Sequence, residues 1–297
     1  KGFYLKQLAM SLIPIPPLGE QHRIVAKIEE ILPYIDQYDK AYTKLETFNK
    51  KFPGDMKKSI LQMAMQGKLV EQRREEGTAD ELYEQIVAEK ARLIKDGKIK
   101  KEKPLPEITD DEIPFEIPSS WKWVRIGEVI SYQNGYSYSS KDMSHLQIGY
   151  PVIKSGNLMT LQVVINSKTS YIDKPNDKML ESQIKKNDML MCLSSQSDNP
   201  EPLGKTAVYR YDFPALLNQR VLKITAIKLE MVELLYYFIN SHYFHYNVSH
   251  QGGGSAQANL KLEHVLNMLI PLPPLKEQKR IVAKIVELLP YCDRFIK

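Results

Sequence analysis

The sequence predicts an α+β protein, in which a mixed, strand-rich domain is combined with long helices that pair as an antiparallel coiled coil. Two observations lead to this prediction. A 28-residue motif occurs once near each end of the chain, and its apolar residues recur with the spacing of an amphipathic helix. From Pro118 onward, short runs rich in Val, Ile, Tyr and Thr alternate with turns rich in Gly, Asn, Pro and Ser, which is typical of β-strands.

The size and composition are those of a globular protein with more than one structural unit. Its 297 residues exceed the roughly 100 to 200 residues of a usual single domain. No apolar run approaches the roughly 20 residues of a membrane helix, so we expect no membrane role. The formal charge of +5 and the pI near 8.8 suit a polyanionic partner without establishing one.

The cysteines and the first residue bear on the cellular setting. Cys192 and Cys292 are the only cysteines, too few for a disulfide framework or a cysteine-rich zinc site. Because there is also no signal peptide, we expect a cytoplasmic protein. The chain starts at Lys1, within a motif and without Met, so we expect an excised or processed piece of a longer protein.

The repeat is the most informative feature. Residues 13–40 read IPIPPLGEQHRIVAKIEEILPYIDQYDK and residues 270–297 read IPLPPLKEQKRIVAKIVELLPYCDRFIK, with 19 identities in 28 ungapped positions. One structural element therefore occurs twice. Its prolines favour an extended entry, because they lack the amide hydrogens that a helix or a central strand needs. A helix follows in each copy, and Pro33 and Pro290 predict a kink or an early stop in it.

Each of these helices carries one apolar stripe, made of Ile24, Ile28, Ile31 and Ile35 in the first copy and of Ile281, Ile285, Leu288 and Leu289 in the second. Each stripe can pack on its own domain. Alternatively, the two stripes face each other as a coiled coil, because near-identical helices separated by a whole domain need matching partners. We favour the second arrangement, which predicts a helical spacer.

Helical signals continue after the first copy. Pro53 and Gly54 predict a break, after which a helix runs from Asp55 to Gln66 and ends near Gly67. Thr78 and Glu81 form a capping box that predicts a second helix, ended by Gly97. The basic run that follows is either a solvated linker, which we favour, or a phosphate-contacting segment; it contains Lys95, Lys98, Lys100, Lys101 and Lys103.

The middle region predicts six strands and one helix. The strands are expected at 121–131, 150–154, 162–172, 188–194, 204–211 and 219–226, and the helix at about 230–248.

This region shows no motif for catalysis. The string Gly-Lys-Thr at 204–206 ends like a phosphate-binding loop, but the glycine required five positions earlier is Asn199. His242 and His245 lie three apart on the predicted helix, without a third metal ligand at a recognisable spacing. The string at 199–202 lacks the paired prolines and the aromatic residue of an amino-methyltransferase signature. The sequence therefore predicts binding groups without a reaction.

The loops carry the side chains that bind DNA. Amides, hydroxyls, Arg and Lys read base edges, and Lys and Arg also bind phosphate. Three glycines at 252–254 allow backbone amides to approach a phosphate closely. The DNA-binding candidates are Gln133, Asn134, Tyr136, Tyr138, Lys154, Ser155, Asn157, Ser195, Gln196, Lys205, Gln219, Arg220, Gly253, Ser255, Gln257 and Asn259. For Gln219 and Arg220, a structural hydrogen bond at a strand start is an equally good explanation.

These residues resemble a known family. The pattern Ile-Pro-x-Pro-Pro-Leu-x-Glu-Gln-x-x-Ile-Val flanks a domain that opens with Ile-Pro-Ser-Ser-Trp-Lys-Trp at 117–123, as in the specificity subunits of type I restriction-modification systems. The segment GYPVIKSGNL at 149–158 looks like part of the family's target-recognition domain. The resemblance divides the chain into the end of a preceding recognition domain (1–12), a first conserved helical region with its linker (13–117), a target-recognition domain (118–260) and a second conserved helical region (261–297).

Members of this family usually carry two recognition domains, whereas this sequence shows one. The resemblance therefore implies a fragment, or a half-length subunit that forms a homodimer. It also implies a non-catalytic chain that binds one part of a split target in double-stranded DNA. The paired helices would form the spacer and dock adenine methyltransferase subunits, which a restriction/translocase subunit joins. This chain would hold no cofactor, since S-adenosylmethionine, ATP and magnesium would belong to those partners.

Two other classes of function are weighed against this one. A helical protein-protein adaptor would show no DNA affinity and no salt-dependent binding. A stand-alone nuclease or methyltransferase would need catalytic motifs that the sequence lacks.

Overall fold

A computed structural model of the chain describes residues 9–10, 12–159, 162–193, 204–251 and 260–294. The chain divides into two compact units, one that ends at Gly54 and one that runs from Asp55 to Arg294. In the described ranges, no helix is both long enough and apolar enough to cross a membrane.

Helix α1, Leu18–Met65, is the longest element, and it follows an extended proline-rich entry. Pro33 and Pro53 both lie inside this helix, so the early stop expected at Pro33 and the break predicted at Pro53 are wrong. A proline inside a helix costs roughly 3 kcal/mol, through one missing amide donor and one local clash. The helix nevertheless continues on both sides of each proline through its 48 residues.

Two predicted helix ends are confirmed, and a glycine with positive φ follows shortly after each of them. Helix α1 ends just before Gly67, which has φ of 69°. Helix α2, Ala79–Lys95, ends just before Gly97, which has φ of 68°. Such left-handed backbone favours glycine, because a side chain would be strained there. The predicted start at Thr78 is also confirmed, although the Thr78 side chain makes no capping hydrogen bond.

The second unit contains the remaining described elements. Its further helices are α3 Ile126–Val129, α4 Asp177–Leu180, α5 Val232–Ile239, α6 His242–Gln251, α7 Leu262–Asn267 and α8 Leu275–Asp293. The strands are β1 Lys122–Arg125, β2 Ile130–Asn134, β3 Tyr150–Ile153, β4 Leu158–Met159, β5 Gln162–Val163, β6 Ser170–Ile172, β7 Gln183–Ile184, β8 Met189–Cys192, β9 Thr206–Val208, β10 Ala215–Leu217, β11 Val221–Ala226 and β12 Leu269–Leu272.

These strands form three sheets. The largest has the order β2-β11-β8-β9-β5-β4, the second has the order β6-β3-β10-β7, and β1 pairs with β12. The sheets are mixed, because β10 runs parallel to β3 and β5 parallel to β9, while the other pairs are antiparallel. The predicted α+β class with a mixed, strand-rich domain is therefore confirmed.

Two strands predicted as continuous are interrupted by local hydrogen bonds. Between β1 and β2, the Glu128 carboxylate accepts a hydrogen bond of 2.7 Å from the Arg125 amide, which starts the short helix α3. Between β5 and β6, Asn166 Oδ1 accepts a bond of 2.9 Å from the Lys168 amide and forms a turn. In both places a side-chain oxygen accepts a hydrogen bond from a backbone amide, which in a continuous strand would donate to a neighbouring strand instead.

Strand β8 shows how the second unit is layered. Met189 and Met191 point into the largest apolar cluster, which helices α5, α6 and α7 cover. Leu190 and Cys192 point to the opposite side, into a cluster shared with the four-stranded sheet. Successive side chains of a strand point to opposite faces, so β8 has an apolar core on both sides. This explains its uninterrupted run of buried residues.

Arg125 joins three segments that are distant in the sequence. The residue is 2% exposed, and its guanidinium donates to the carbonyl oxygens of Pro106 at 2.7 Å, Asn267 at 2.7 Å and Glu107 at 2.9 Å. It also pairs with the carboxylate of Glu112 at 2.8 Å. One buried cation therefore fixes the linker before the strand-rich domain and the turn before β12.

Helix α8 packs antiparallel to the last turns of α1. Lys57 Nζ lies 2.5 Å from Asp293 Oδ1 at the end of α8. Near the start of α8, Gln72 Nε2 donates a hydrogen bond of 2.6 Å to Glu277 Oε1. Lys57 thus contacts the end of α8, and Gln72, which comes later in the sequence, contacts its start, so the two segments run in opposite directions. The antiparallel direction of this helix pair agrees with the predicted class, although the segment that pairs with α8 is not the one predicted.

The partner of the second apolar stripe differs from the prediction. Ile281 and Ile285 are completely buried, and Leu288 and Leu289 pack beside them. Their cluster contains Ile60, Ala64, Met65, Trp121, Leu234, Phe238 and Cys292. The second stripe therefore packs on its own unit, which corrects the expectation that it faces the first stripe. The physical reason is that apolar side chains from residues 60–65 and from the domain behind them surround this stripe and bury it.

Glu277 is a buried carboxyl group at this helix pair. It is 1% exposed and accepts hydrogen bonds from Trp121 Nε1 at 2.9 Å and from Gln72 Nε2 at 2.6 Å. Burial raises the pKa of the Glu277 carboxyl above its ordinary value, although both hydrogen bonds act in the opposite direction. Desolvation of the charged form thus outweighs the stabilisation that these donors provide.

The raised pKa predicts the direction of a pH effect. As the pH rises from about 4, the Glu277 carboxyl ionises first in the unfolded chain, which stabilises the unfolded state. Wild type should therefore lose stability relative to Glu277→Gln until the pH passes the raised pKa, and the difference should then stay constant. Urea midpoints of both proteins, measured at several pH values, test this. Wild type gaining stability relative to the variant over this range would contradict it.

Candidate nucleic-acid interface

Four strands of the largest sheet have an end at the same edge. Val221, the first residue of β11, pairs with Cys192, the last residue of β8. Next to it, Leu222 pairs with Asn134, the last residue of β2. Strand β9 begins at this edge too, because its first residue, Thr206, pairs with Met191. We call residues 134–136, 154–155 and 218–220, which gather here, the loop edge.

Backbone hydrogen bonds hold these three segments together. The Tyr136 amide donates to the Leu217 carbonyl oxygen at 2.8 Å, and the Gln219 amide donates to the Tyr136 carbonyl oxygen at 2.9 Å. The Asn218 amide donates to the carbonyl oxygen of Ile153, directly before Lys154, at 2.9 Å. Side chains of the loop edge are therefore presented from a fixed backbone.

Gly135 allows residues 134–136 and 217–218 to lie very close to each other. A Cβ atom at this position would lie 2.2 Å from the Asn218 carbonyl oxygen and 2.4 Å from its carbonyl carbon. No real Cβ makes such contacts, so only glycine fits between the neighbouring backbones.

The loop edge exposes polar groups of the predicted kind. Asn134, Gln219 and Arg220 are exposed, and Tyr136 and Ser155 are half-buried. Lys154 is half-buried, and its Nζ donates a hydrogen bond of 2.9 Å to Ser170 Oγ. The structure thus brings six of the predicted DNA-binding residues to one edge, although they are separated by up to 86 positions in the sequence.

Gln133 lies beside this edge but has a partner within the domain. Its side chain is half-buried, and Nε2 donates to the Glu181 carbonyl oxygen. An amide used in this way has fewer groups left to offer to a base.

Three other candidates are buried, which corrects the predicted set. Tyr138 is 8% exposed, shares a hydrogen bond with Ser182 Oγ, and has its pKa raised by burial. Asn157 is equally buried, and Lys205 is too. All three are polar residues in the strand-rich region, but their side chains point inward, where DNA cannot reach them.

Asn157 has a structural role instead. Its Oδ1 accepts a hydrogen bond of 3.0 Å from the Lys154 amide. Its Nδ2 donates to the Val164 carbonyl oxygen at 2.9 Å and to Thr169 Oγ1 at 3.1 Å. Both ends of the amide are thereby used to shape the turn that carries Lys154 and Ser155, so Asn157 positions candidate residues without contacting DNA itself.

The remaining candidates Ser195, Gln196, Gly253, Ser255, Gln257 and Asn259 lie outside the described residues. The described neighbours of these segments lie at the same edge. Leu193 donates its amide hydrogen to the Arg220 carbonyl oxygen at 3.2 Å and accepts a bond of 2.8 Å from the Leu260 amide. The Gly204 amide donates to the Cys192 carbonyl oxygen at 3.0 Å.

Two residues that are not among the DNA-binding candidates organise this region. Ser170 holds the Lys154 ammonium group from another strand, and Asn218 accepts a hydrogen bond of 3.4 Å from the Arg220 amide through Oδ1. Asn218 stands in a short Asn-Gln-Arg turn, which is a local signal for such a bond. Ser170 gives no local signal, because its partner is 16 positions away.

The chain is similar to a known protein family and to curated members of it. Residues 118–292 match the family described as the type I restriction modification DNA specificity domain. The type I restriction enzyme EcoAI specificity subunit of Escherichia coli is 30% identical over 95% of this chain and 54% of its own length. The EcoEI specificity subunit of the same organism is 28% identical over 80% of this chain and 41% of its own length.

These matches cover only part of each relative, so the chain spans about half the length of the curated relatives it matches. A solved structure from a study of complex assembly and conformational transition of the type I R-M system has a TM-score of 0.50 and 20% sequence identity. The match covers 95% of this chain and 54% of that one. This likeness concerns the fold alone.

Proposed function

Because the chain belongs to the family of type I restriction-modification DNA specificity domains, we propose that its loop edge binds double-stranded DNA and reads one part of a split target. The observation that supports this most directly is the convergence of exposed Asn134, Gln219 and Arg220 on a rigid backbone. Asn and Gln amides form paired hydrogen bonds with adenine, and Arg does so with guanine. A fixed backbone favours such readout, because little ordering is needed on binding.

Lys154 has a different expected role. Its ammonium group is held by Ser170 Oγ and is half-buried at the side of the loop edge. A lysine is a compact charge without the planar fork of arginine, so it suits a phosphate better than a base edge. We therefore assign sequence readout to Arg220 and backbone contact to Lys154.

Two substitutions separate these roles. Arg220→Ala should weaken binding to the specific target by about 1–3 kcal/mol and relax discrimination at one position. Lys154→Ala should weaken binding to all duplexes and make the dependence of log K on log salt less steep by about one unit. Equilibrium titrations with specific and unrelated duplexes at several salt concentrations measure both effects.

Lys186→Ala is the matched control. Lys186 is exposed, pairs with Asp212 at 2.6 Å, and stands before the start of β8, away from the loop edge. The control should bind like wild type. Equal affinity for Lys154→Ala, Arg220→Ala and wild type would remove both residues from the interface. A chain without any salt-dependent DNA affinity would instead support the helical adaptor.

We further propose that this chain contributes recognition and scaffolding without catalysis. Its helices would hold the recognition domain at a fixed distance and dock adenine methyltransferase subunits, which a restriction/translocase subunit joins. S-adenosylmethionine, ATP and magnesium would bind those partners. Support comes from the relatives, which are named as specificity subunits of type I restriction enzymes. Mapping methylation after mixing the chain with its methyltransferase partner tests this, and turnover by the purified chain alone would contradict it.

A further inference from the structure

The linker between α2 and the strand-rich domain is fastened to that domain. Lys90 of α2 donates from Nζ to the carbonyl oxygens of Gly127 at 2.5 Å and of Ile130 at 3.0 Å. The same nitrogen lies 3.4 Å from Glu102 Oε2 in the linker. Leu105 packs against the largest apolar cluster. The linker is therefore held beside α3 and the start of β2.

Glu102 also lies near the part of β2 that leads to the loop edge. Burial raises the pKa of the Tyr132 hydroxyl in the middle of β2, and the negative charge of Glu102 adds to this rise. Tyr132 and Asn134 point to the same face of β2 and are about 7 Å apart along the strand. Since Asn134 belongs to the loop edge, the linker at Glu102 lies close to that edge.

The charge of the linker changes sign along its length. Residues 95–103, which we call the basic segment, contain five lysines and two acidic residues. Residues 107–116 contain five acidic residues and no basic one. This acidic part is bound to Arg125, before α3 and β2. A linker that serves only solubility needs no such separation of signs. Positive charge is therefore concentrated in the part of the linker that reaches β2.

Three lysines of the basic segment are available to a ligand. Lys100, Lys101 and Lys103 are exposed, and in the ranges that the structure describes no carboxylate forms an ion pair with them. Lys98, by contrast, lies 3.7 Å from Asp96. Glu102 is partly buried on Lys90, whereas its neighbours on both sides are exposed, so these lysines face away from the domain.

We propose that Lys100, Lys101 and Lys103 form a second DNA-binding surface, which holds phosphates of the duplex next to the part that the loop edge reads. This inference rests on the proposed function, because it needs a duplex at the loop edge. Successive phosphates of one strand are about 3.4 Å apart along the duplex axis, so a duplex bound at that edge brings several of them near the linker.

Lysine suits this role, because its ammonium group is a compact charge on a flexible stem and binds phosphate whatever the base. The basic segment would thus raise the affinity for every duplex and leave sequence selection to the loop edge. An acidic protein surface would match the charge as well, but the nearness of the loop edge favours DNA.

A triple substitution to glutamine at Lys100, Lys101 and Lys103 tests the proposal. The melting temperature should stay that of wild type, because all three side chains are exposed. The plot of log affinity against log salt, measured with a duplex of mixed sequence, should become less steep by about three units, since each lost phosphate contact removes about 0.9. The ratio of the affinities for the target and for an unrelated duplex should not change.

The matched control replaces three exposed lysines of α1 with glutamine and so removes the same charge; these are Lys40, Lys44 and Lys51. Its salt dependence should remain that of wild type. Target duplexes shortened stepwise from either end locate the contact. Wild type should lose affinity when one end is trimmed outside the target, and the triple variant should be insensitive to that trimming.

Each outcome decides the matter. A triple variant with the wild-type slope overturns this inference, and if Arg220→Ala still weakens specific binding, the proposed function stands. An equal loss of slope in the control overturns the inference too, because overall charge would then be the cause. Wild type without salt-dependent DNA affinity would remove both proposals. A triple variant that binds DNA normally but no longer binds the methyltransferase partner would assign these lysines to a protein contact and overturn the inference.

Discussion

Replacing Gly135 with Ala is expected to destabilise the chain by about 3 kcal/mol or more, one of the larger effects of a single methyl group in this protein. The added Cβ would lie 2.2 Å from the Asn218 carbonyl oxygen, and the nearest atoms all belong to backbone. Flexible side chains can move aside, but these backbone atoms are fixed by the hydrogen bonds of Tyr136, Asn218 and Gln219. The strain must therefore separate the segments of the loop edge.

This separation should also reduce DNA binding. If the loop edge reads DNA as proposed, moving residues 134–136 away from residues 218–220 disrupts at least one base contact, worth about 1–3 kcal/mol. Urea unfolding and DNA titration of the same Gly135→Ala sample measure the two effects. Gly156→Ala is the matched control, since a Cβ there would meet nothing within 4 Å. A Gly135→Ala protein with wild-type stability would show that these backbones are not held as described.

Replacing Arg125 with Ala is expected to cost about 3–5 kcal/mol of stability, as is typical when one member of a buried charged network is removed. The guanidinium is the donor for the carbonyl oxygens of Pro106, Glu107 and Asn267, so its loss leaves three acceptors to be satisfied at once. The linker before the strand-rich domain should then detach, because it shares this cation with the turn before β12.

Urea unfolding measures the loss, and limited proteolysis locates it. Cleavage between residues 98 and 117 should accelerate in Arg125→Ala before the sheets unfold. Arg210→Ala is the control, because Arg210 is half exposed and pairs with the partly exposed Glu233. Such surface pairs contribute little to stability. If both variants unfolded at the same urea concentration, Arg125 would not fasten the linker.

Much of the local structure could be predicted from the sequence, because its causes lie within a few residues. The helix ends at Gly67 and Gly97 follow from the left-handed backbone that glycine permits. Strand β8 follows from a short apolar run bounded by turn residues. The proline-rich entries and the amphipathic helices of both repeat copies follow from spacing alone.

The loop edge could be predicted only in part. Polar residues in turns identified Asn134, Gln219 and Arg220, which are exposed. The same reasoning included Tyr138 and Asn157, which are buried. The direction of a side chain in a short, irregular strand depends on register, and register is set by pairing with distant strands. Residue type alone therefore cannot separate a residue that contacts a ligand from one that supports the turn.

The sequence by itself determined that one helical element occurs twice and that a strand-rich domain lies between the copies. It did so because repeats, turn residues and apolar periodicity act over a few residues and need no partner. Only the tertiary structure decided which surface each copy meets. Ile24 and Ile281 have near-identical neighbours in sequence, yet one is exposed and the other buried. The difference arises from Gln72, Glu76 and Trp121, which are about 150 to 210 positions away from α8 and which no local pattern connects to it.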